Sequence, residues 1–295
     1  MNKLLLNAYR VFVPKPLRTI IVRKFLHKKI LKYFAELPES DINDEQREVL
    51  AYLKNNPLSV FPYPFQHHYD PEKVEVYEDK TNGFHYVLLD TKRLYFKKKW
   101  TVKRIRRGFS NLMMEQDIGS PHRYQNGTFN LNENDVVADI GAAEGNFSLS
   151  VIEKVKKLYI FEYNREWVKA LNATFAPWKD KVEIINKRVA DFDDDKHIRF
   201  DTFLKDHDKV TFMKIDVDGA EQSVLNSCQP ILKGNGPMKI ALCTYHRNND
   251  EKDFTTLLIN NGFRVKPSKG YMIQYFDKQI KSPYLRRGLL MAIRD

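Results

Sequence analysis

Cysteine is scarce in this chain of 295 residues, and long apolar runs are missing. With only Cys228 and Cys243 present, a disulfide framework is not expected, and a reducing compartment suits the composition. A membrane-spanning helix needs roughly 20 consecutive apolar residues, and no run approaches that length. We therefore expect a globular protein of the cytoplasm, either free or bound peripherally to the inner face of the membrane.

Acidic residues are absent from two segments that hold much of the positive charge. Residues 1–35 contain nine Lys or Arg and no Asp or Glu, and residues 91–114 contain nine more with no acid. The net charge of the chain is +11, so the remainder carries 11 − 18 = −7. The basicity therefore predicts two positive patches on the surface, and not a uniformly basic fold.

The first basic segment has apolar residues at nearly helical spacing, with cations between them. The apolar positions are Ile21, Phe25, Leu26, Ile30 and Phe34, and the cations are Arg23, Lys24, Lys28, Lys29 and Lys32. Such a helix can dock on the main domain as an ordinary surface helix. It can also lie on an anionic membrane, so that residues 1–35 make a peripheral contact. The sequence leaves both possibilities open.

The second basic segment, "KKKWTVKRIRR" (97–107), mixes aromatic and cationic residues, as nucleic-acid surfaces do. No RNA-binding module with its own signature accompanies it, so nucleic acid is not the partner we expect. A phosphorylated sugar, a lipid-linked glycan or a bilayer would use the same positive surface. A patch without any recognition role also stays open.

After Asn134 the pattern alternates between strands and helices, which predicts a mostly parallel sheet covered on both faces. The seven strand patterns are "DVVADIG", "KLYIFEYN", "VEIINKRV", "VTFMKIDVD", "MKIALCTYH", "RVKPS" and "RGLLMAIR". Helices are expected at 146–155, 165–175, 219–232 and 251–262. The prediction is an α/β fold with a doubly wound, seven-stranded Rossmann-like sheet in residues 110–295. Residues 1–109 would form an N-terminal extension of helices and a β-hairpin.

The loop "DIGAAEGNFS" follows the first of these strands, where doubly wound sheets bind their ligands. It lacks the dinucleotide pattern G-x-G-x-x-G, although its glycines allow a tight turn and the close approach of a ligand. Its acids would repel a pyrophosphate and suit a sulfonium or ammonium group, which S-adenosylmethionine carries. The expected cofactor contacts in this loop are Asp139, Gly141, Ala142, Glu144, Gly145 and Asn146.

Further cofactor contacts are expected beyond this loop. The second strand ends at Glu162, 21 residues after Gly141, where an acid would reach the ribose hydroxyls, and Tyr163 follows it. Val189 and Ala190 follow the third strand, where related folds contact adenine. Glu115 precedes the sheet and is expected near the amino group of the cofactor.

Three motifs resemble the FkbM-type methyltransferase family: "DIGAAEGNFS", "FEYN" and "FMKIDVDGAEQSVL". The resemblance covers roughly residues 110–295, and the third motif is the most diagnostic. It implies a class I methyltransferase that uses S-adenosylmethionine to methylate a hydroxyl, typically on a sugar or a secondary metabolite. The family usually has Glu where Asp218 stands, and the acid that often precedes the histidine of the next strand is missing from "CTYHR".

Three residues at the ends of the fourth and fifth strands are the expected catalytic groups. Asp216, Asp218 and His246 would meet at one edge of the sheet, where a hydroxyl acceptor benefits from a general base or a metal. These carboxylates could also bind a bridging divalent cation, whose ligands the sequence does not define. His122 and Arg123, in the loop before the first strand, are expected to face the acceptor.

The function expected from the sequence is methylation of a hydroxyl on a sugar or cell-surface glycan, including a lipid-linked or phosphorylated one. An RNA methyltransferase is one alternative. A membrane-docked protein that keeps the cofactor site without catalysis is another. The sequence does not define the oligomeric state or the oxygen that receives the methyl group.

Overall fold

The computed structural model describes residues 15–295, with side chains from residue 20 onward. Expectations about residues 1–14, part of the first basic segment, lie outside the described residues. The first element is helix α1 (Lys15–Ala35), and helix α2 (Asp44–Asn55) follows it. Asn43 caps α2, because its side chain accepts from the backbone N–H of Gln46.

A small antiparallel sheet comes next. Its strands are β1 (Tyr77–Asp79), β2 (Phe84–Leu89) and β3 (Lys92–Tyr95), and helix α3 (Val102–Glu115) follows. The sequence predicted one hairpin, but the structure has two. Residues 84–97, "FHYVLLDTKRLYFK", were expected to form the second strand of that hairpin. In the structure they turn back at Asp90, which adopts a φ of 54°. Aspartate tolerates this left-handed conformation better than most residues, so the run folds into two strands.

Seven strands form the main sheet: β4 (Val136–Ile140), β5 (Lys157–Phe161), β6 (Val182–Ile185), β9 (Phe212–Ile215), β10 (Met238–Cys243), β11 (Arg264–Pro267) and β12 (Leu289–Arg294). Their order across the sheet is β11-β12-β10-β9-β4-β5-β6. β12 pairs antiparallel with both its neighbours, and the other pairs are parallel. The predicted mostly parallel α/β sheet is confirmed.

Short elements and helices fill the connections. A two-stranded pair, β7 (Arg188–Val189) with β8 (His197–Ile198), lies beside the main sheet. The helices are α4 (Asn146–Val151), α5 (Arg165–Phe175), α6 (Phe200–Phe203), α7 (Glu221–Ser227), α8 (Gln229–Lys233) and α9 (Asp250–Asn260). The helix expected at 219–232 is divided at Cys228, because Pro230 cannot continue the hydrogen-bond pattern of α7.

The central strand is buried on both faces. Val136, Ala138 and Ile140 pack in one apolar cluster, and Val137 packs in another on the opposite side. Alternate side chains of a strand point to opposite faces, so this division shows helices and loops covering both sides of the sheet.

The N-terminal extension shares its core with the main domain. Val87 and Leu94 of the small sheet belong to the same cluster as Val137. The boundary expected between residues 109 and 110 falls inside α3, so the division into two units stays an interpretation of the sequence. No helix within residues 15–295 is both long and apolar enough to cross a membrane.

The sheet reverses its topology at β4, which lies between β5 and β9. The loops that follow β4 and β9 therefore meet at the carboxyl edge, where open α/β sheets bind ligands. Gly141 has a φ of 83°, and a Cβ on it would lie 2.0 Å from the carbonyl oxygen of Asp216. A Cβ on Gly145 would lie 2.5 Å from Leu171 Cδ2. A side chain at either position would collide with neighbouring protein atoms, so both glycines are needed for the packing of this loop.

Candidate active site

A buried ion pair lies beneath the loop that follows β4. Lys214 Nζ is 2.9 Å from Asp139 Oδ1 and donates to the carbonyl oxygen of Gly141 at 2.8 Å. Ser148 donates its hydroxyl to Asp139 Oδ2 at 2.6 Å, and Asp139 is fully buried. The carboxylate of Asp139 faces the core, where it neutralises Lys214 and supports the loop that follows β4. A contact between Asp139 and the cofactor stays a prediction.

Lys214 stays charged in this interior position. Burial alone would lower the pKa of its ammonium group, but the carboxylates of Asp139 and Asp216 raise it above its ordinary value. The ammonium also lies 5.2 Å from the centre of the Tyr124 ring. One cation thus links β4, β9 and the segment that precedes β4.

Glu162 fixes the backbone of two loops, the one that follows β4 and the one that follows β5. Its Oε2 accepts from Ala143 N–H at 2.9 Å and its Oε1 from Asn164 N–H at 2.6 Å. Burial raises the pKa of this carboxyl, and these two hydrogen bonds oppose the rise. Each carboxylate oxygen can accept a second hydrogen bond, so Glu162 keeps capacity for a pair of hydroxyls.

Glu115 and Glu144 are two partly exposed acids with no close cation. Burial raises the pKa of Glu115, and it raises the pKa of Glu144 to about 7. Lys97 attracts Glu144 over a longer distance. Among the described residues no cationic nitrogen lies within 4.0 Å of either carboxyl. A positively charged ligand beside these groups would favour their ionised forms.

Tyr163 follows Glu162 and is half exposed. The guanidinium of Arg188 lies over its ring, 3.7 Å from the centre. Val189 and Ala190 come directly after Arg188 and are buried. The exposed ring and its guanidinium form a flat surface, which suits stacking against a purine.

Asp216 is surrounded by four polar side chains. Tyr124 donates to Oδ2 at 2.8 Å and Tyr245 donates to Oδ1 at 3.1 Å. His122 Nε2 lies 3.6 Å from Oδ2, and His246 Nε2 lies 3.7 Å from Oδ1. Burial would raise the pKa of Asp216, but His122, Lys214 and His246 together hold it well below its usual range. Asp216 is therefore an ionised carboxylate in a fixed position.

Tyr124 and Tyr245 were not among the residues that the sequence indicated. Burial, followed by the charge of Asp216, raises the pKa of both phenols well above the ordinary value. Both remain neutral hydrogen-bond donors as a result. Their only signal in the sequence is position, since Tyr124 lies two residues after His122 and Tyr245 directly precedes His246.

His246 lies between three carboxylates. Its Nδ1 is 2.8 Å from Glu221 Oε1, although this contact is not well aligned for a hydrogen bond. Its Nε2 is 3.8 Å from Oδ1 of the exposed Asp218, on the far side from Asp216. Burial would lower the pKa of His246, but Glu221 first, and then Asp216 and Asp218, raise it. The same Glu221 oxygen accepts from the N–H groups of Val217 and Gly219.

A cleft of about 770 Å³ opens beside His246. Asp218, Glu221 and His246 line it, and the segment after β11 supplies one of its walls. That wall includes the amide side chains of Gln274 and Gln279, the exposed ring of Phe276, and Lys281. The structure brings the expected residues Asp216, Asp218 and His246 together, and the latter two line the cleft.

A second cleft, of about 880 Å³, lies between the small sheet, α3 and α4. Arg123 and Asn146 line it, whereas His122 is buried against Asp216. The side chains of His122 and Arg123 therefore lie in different surroundings, and their role in binding an acceptor stays a prediction. Ala142 is likewise buried in the core.

The comparisons with known proteins concern this same part of the chain. The model of the methyltransferase FkbM domain matches residues 121–276, which is more than half of the sequence. The chain belongs to this family. No curated protein sequence matches it significantly.

Solved structures resemble the FkbM domain at a distance. Methyltransferase FkbM from Methylobacillus flagellatus KT is 16% identical with a TM-score of 0.45, over 65% of this chain and 54% of that one. The chain thus spans about half the length of that protein. Precorrin-6y C5,15-methyltransferase from Geobacter metallireducens is 13% identical with a TM-score of 0.38, over 66% and 89%. An rRNA methylase from Streptococcus thermophilus is 12% identical with a TM-score of 0.36, over 56% and 89%.

A methyltransferase domain implies S-adenosylmethionine as the methyl donor, and the residues of this FkbM domain fit that molecule. Glu115 and Glu144 are acids without a close cation, as an ammonium or sulfonium ligand requires. Glu162 retains acceptor capacity for ribose hydroxyls, and Tyr163 offers an aromatic face. None of these groups would attract a pyrophosphate.

Metal coordination gains no support from the site. Two groups of described residues place possible ligand atoms within 4.8 Å of one another. They are His122, Asp216 and Cys243, and Asp216, Glu221 and His246. The ion pairs and tyrosine hydrogen bonds described above already account for this clustering, so we assign no cation.

Replacing Lys214 by Met tests the importance of the buried ion pair. The Lys214→Met substitution leaves Asp139 as an unpaired buried charge, so the free energy of unfolding should fall by about 3–5 kcal/mol. Urea denaturation followed by circular dichroism measures this change. The double variant Lys214→Met/Asp139→Asn should recover part of the loss. Equal stability of the single variant and the wild type would show that the pair does not hold the loop.

Proposed function

We propose that this FkbM domain transfers a methyl group from S-adenosylmethionine to a hydroxyl of a sugar, in the cleft beside His246. The observation that carries the proposal is the position of His246, between carboxylates and in the lining of that cleft. The amides of Gln274 and Gln279 suit hydroxyl groups, and the ring of Phe276 suits the apolar face of a sugar. Location in the cytoplasm stays an expectation from the sequence.

S-adenosylmethionine, when bound, supplies a methyl group activated by its sulfonium charge. Glu115 and Glu144 balance positive charge on the cofactor side, while Glu162 fixes the loop at Ala143. The contribution of these residues is to bind and orient, which is the main source of rate enhancement when two reactants must be aligned.

On the acceptor side, His246 takes the proton of the hydroxyl at Nε2. Glu221 faces the other ring nitrogen, so the positive charge that forms on the ring is stabilised in place. Asp216 is held by Tyr124 and Tyr245, and it positions Nε2 from one side. Asp218, at the exposed end, is available to a second hydroxyl of the acceptor.

The affinity for a cationic cofactor should depend on pH through Glu144. In the free protein this carboxyl keeps its proton below a pKa of about 7, and a cation binds best once the proton is lost. The dissociation constant of S-adenosylmethionine should therefore rise as the pH falls below 7, by at most about tenfold per unit. Isothermal titration calorimetry between pH 5.5 and 8.5 measures this slope.

Two variants show whether Glu144 causes the slope. Glu144→Gln should bind more weakly at high pH and lose most of the pH dependence, whereas the exposed Glu133→Gln should behave as the wild type. A slope that persists in Glu144→Gln would assign the titration to another group.

A methyl-transfer screen identifies the acceptor class. The protein, S-adenosylmethionine labelled on its methyl group, and fractionated sugar, lipid-linked glycan and RNA extracts are combined, and label in each fraction is counted. Glycan fractions should be labelled, and His246→Gln should reduce that labelling by about a hundredfold or more. His67→Gln changes an exposed loop histidine and should leave the rate unchanged. Label confined to RNA would refute the sugar assignment and favour the RNA alternative.

Glu221→Gln tests the role of Glu221 as a positioning residue. The base form of His246 exists above its pKa, which Glu221 raises, so the rate should increase with pH in the wild type. Removing the charge of Glu221 lowers that pKa, so the rising limb of the pH–rate profile should move to lower pH. An unshifted profile, with a lower rate at every pH, would mean that Glu221 acts only by holding the loop at Val217 and Gly219.

A further inference from the structure

Helix α1 has two different faces. Leu26, Ile30 and Phe34 are buried against residues of the segment after β11, among them Tyr284 and Leu285. These helix positions are four residues apart, so they form one stripe along the helix. Of the two alternatives that the sequence left open, packing on the rest of the chain accounts for this face and for only part of the apolar residues of α1.

The opposite face combines exposed apolar residues with lysines. Ile21 and Phe25 are exposed on this face, and Phe25 shows 68% of its surface to solvent, while Ile20 and Val22 are exposed on its two flanks. The exposed lysines are Lys24, Lys28, Lys29 and Lys32. Lys32 lies near Glu36, at 3.6 Å, but Lys24 and Lys28 have no acidic oxygen within 4.0 Å among the described residues. The outward face is thus apolar in its first turns and cationic in the turns that follow.

Helix α1 also contacts the segment that supplies one wall of the cleft beside His246. The guanidinium of Arg23, on the packed side of α1, lies over the ring of Tyr275, 4.9 Å from its centre. The next residue, Phe276, is 65% exposed and lines the cleft, and Lys278 and Lys281 of the same segment are exposed. The helix and this wall of the cleft are therefore neighbours in the fold.

We propose that the outward face of α1 docks on an anionic lipid bilayer, with Ile21 and Phe25 entering the headgroup region. The charge of the surface is complementary to that of acidic lipids, because residues 1–35 carry nine cations and no acid. From Ile21 to Lys32 the helix extends roughly 16 Å, long enough for several lysines to reach headgroups together. A nucleic acid would contact the lysines, but the large apolar side chains would stay exposed to water.

Docking in this way would bring the rim of the cleft beside His246 close to the membrane surface. If the proposed function holds, the sugar that is methylated is then carried by a lipid. This second step rests on the proposed function, whereas the docking itself does not depend on catalysis.

Vesicle flotation of the full chain tests the docking. Vesicles of phosphatidylcholine alone are compared with vesicles that also contain phosphatidylglycerol, at low and high salt. The chain should float with the anionic vesicles, and binding should weaken as salt rises, because salt screens exposed charges. Equal flotation with neutral vesicles, or none with anionic ones, would overturn the proposal.

Matched variants separate the apolar and the cationic contributions. Phe25→Ser and Ile21→Ser should each weaken binding, by about tenfold for Phe25. Ile259→Ser removes an exposed isoleucine from α9 and should have no effect. Lys24→Ala/Lys28→Ala should weaken binding about fivefold for each lysine, whereas Lys179→Ala/Lys252→Ala makes the same charge change elsewhere and should not.

Two further outcomes would refute the docking. Flotation of the Ile21, Phe25 and Lys24/Lys28 variants at the wild-type level would exclude this face. A dimer that dissociates on Phe25→Ser, without vesicle binding by the wild type, would make the face a contact between two copies. Binding of S-adenosylhomocysteine checks that each variant is folded. Flotation without methylation of any lipid-linked sugar would retain the docking and count only against the proposed function.

Discussion

The ion pair between Lys214 and Asp139 is the constraint on which the site depends. It places a charge inside the sheet, and it joins β9 to β4 at the point where the strand order reverses. The same ammonium donates a hydrogen bond to the carbonyl oxygen of Gly141, which fixes the start of the loop that follows β4. Gly141 in turn packs directly against the backbone of Asp216. A change in this pair would therefore move the loop that follows β4 and the carboxylate of Asp216 together.

The two sides of the site differ in how their charges are balanced. On the cofactor side, burial keeps the pKa values of Glu115 and Glu144 raised, because no cation is close to them. On the acceptor side, histidines, tyrosines and Lys214 keep Asp216 ionised. Glu115 and Glu144 therefore lack a counter-charge that a positive ligand would supply, whereas the charge of Asp216 is balanced by neighbouring side chains. This difference is consistent with the proposed function, in which binding of the cofactor and transfer of the proton belong to separate groups.

Much of the architecture was predictable because it depends on local patterns. The seven strands are short runs of buried residues separated by helices, and the structure has all of them in a mostly parallel sheet. Asp216 and His246 were predicted to meet because the carboxyl ends of parallel strands share an edge. The pairing of Asp139 with Lys214 was not predicted, since a strand pattern does not reveal a buried lysine on the neighbouring strand. Tyr124 and Tyr245 were missed for the same reason: they approach Asp216 from segments 92 and 29 residues away.

By itself, the sequence determined the fold class, the family motifs, the acids near the cofactor loop and the uneven distribution of charge. These properties reside in residue types and their spacing along the chain, which folding does not change. Only the tertiary structure decided which acids are paired, which glycines make room for protein atoms, and which face of α1 is turned outward. Those outcomes depend on contacts between distant segments, and such contacts set the burial and charge environment that gives each side chain its role.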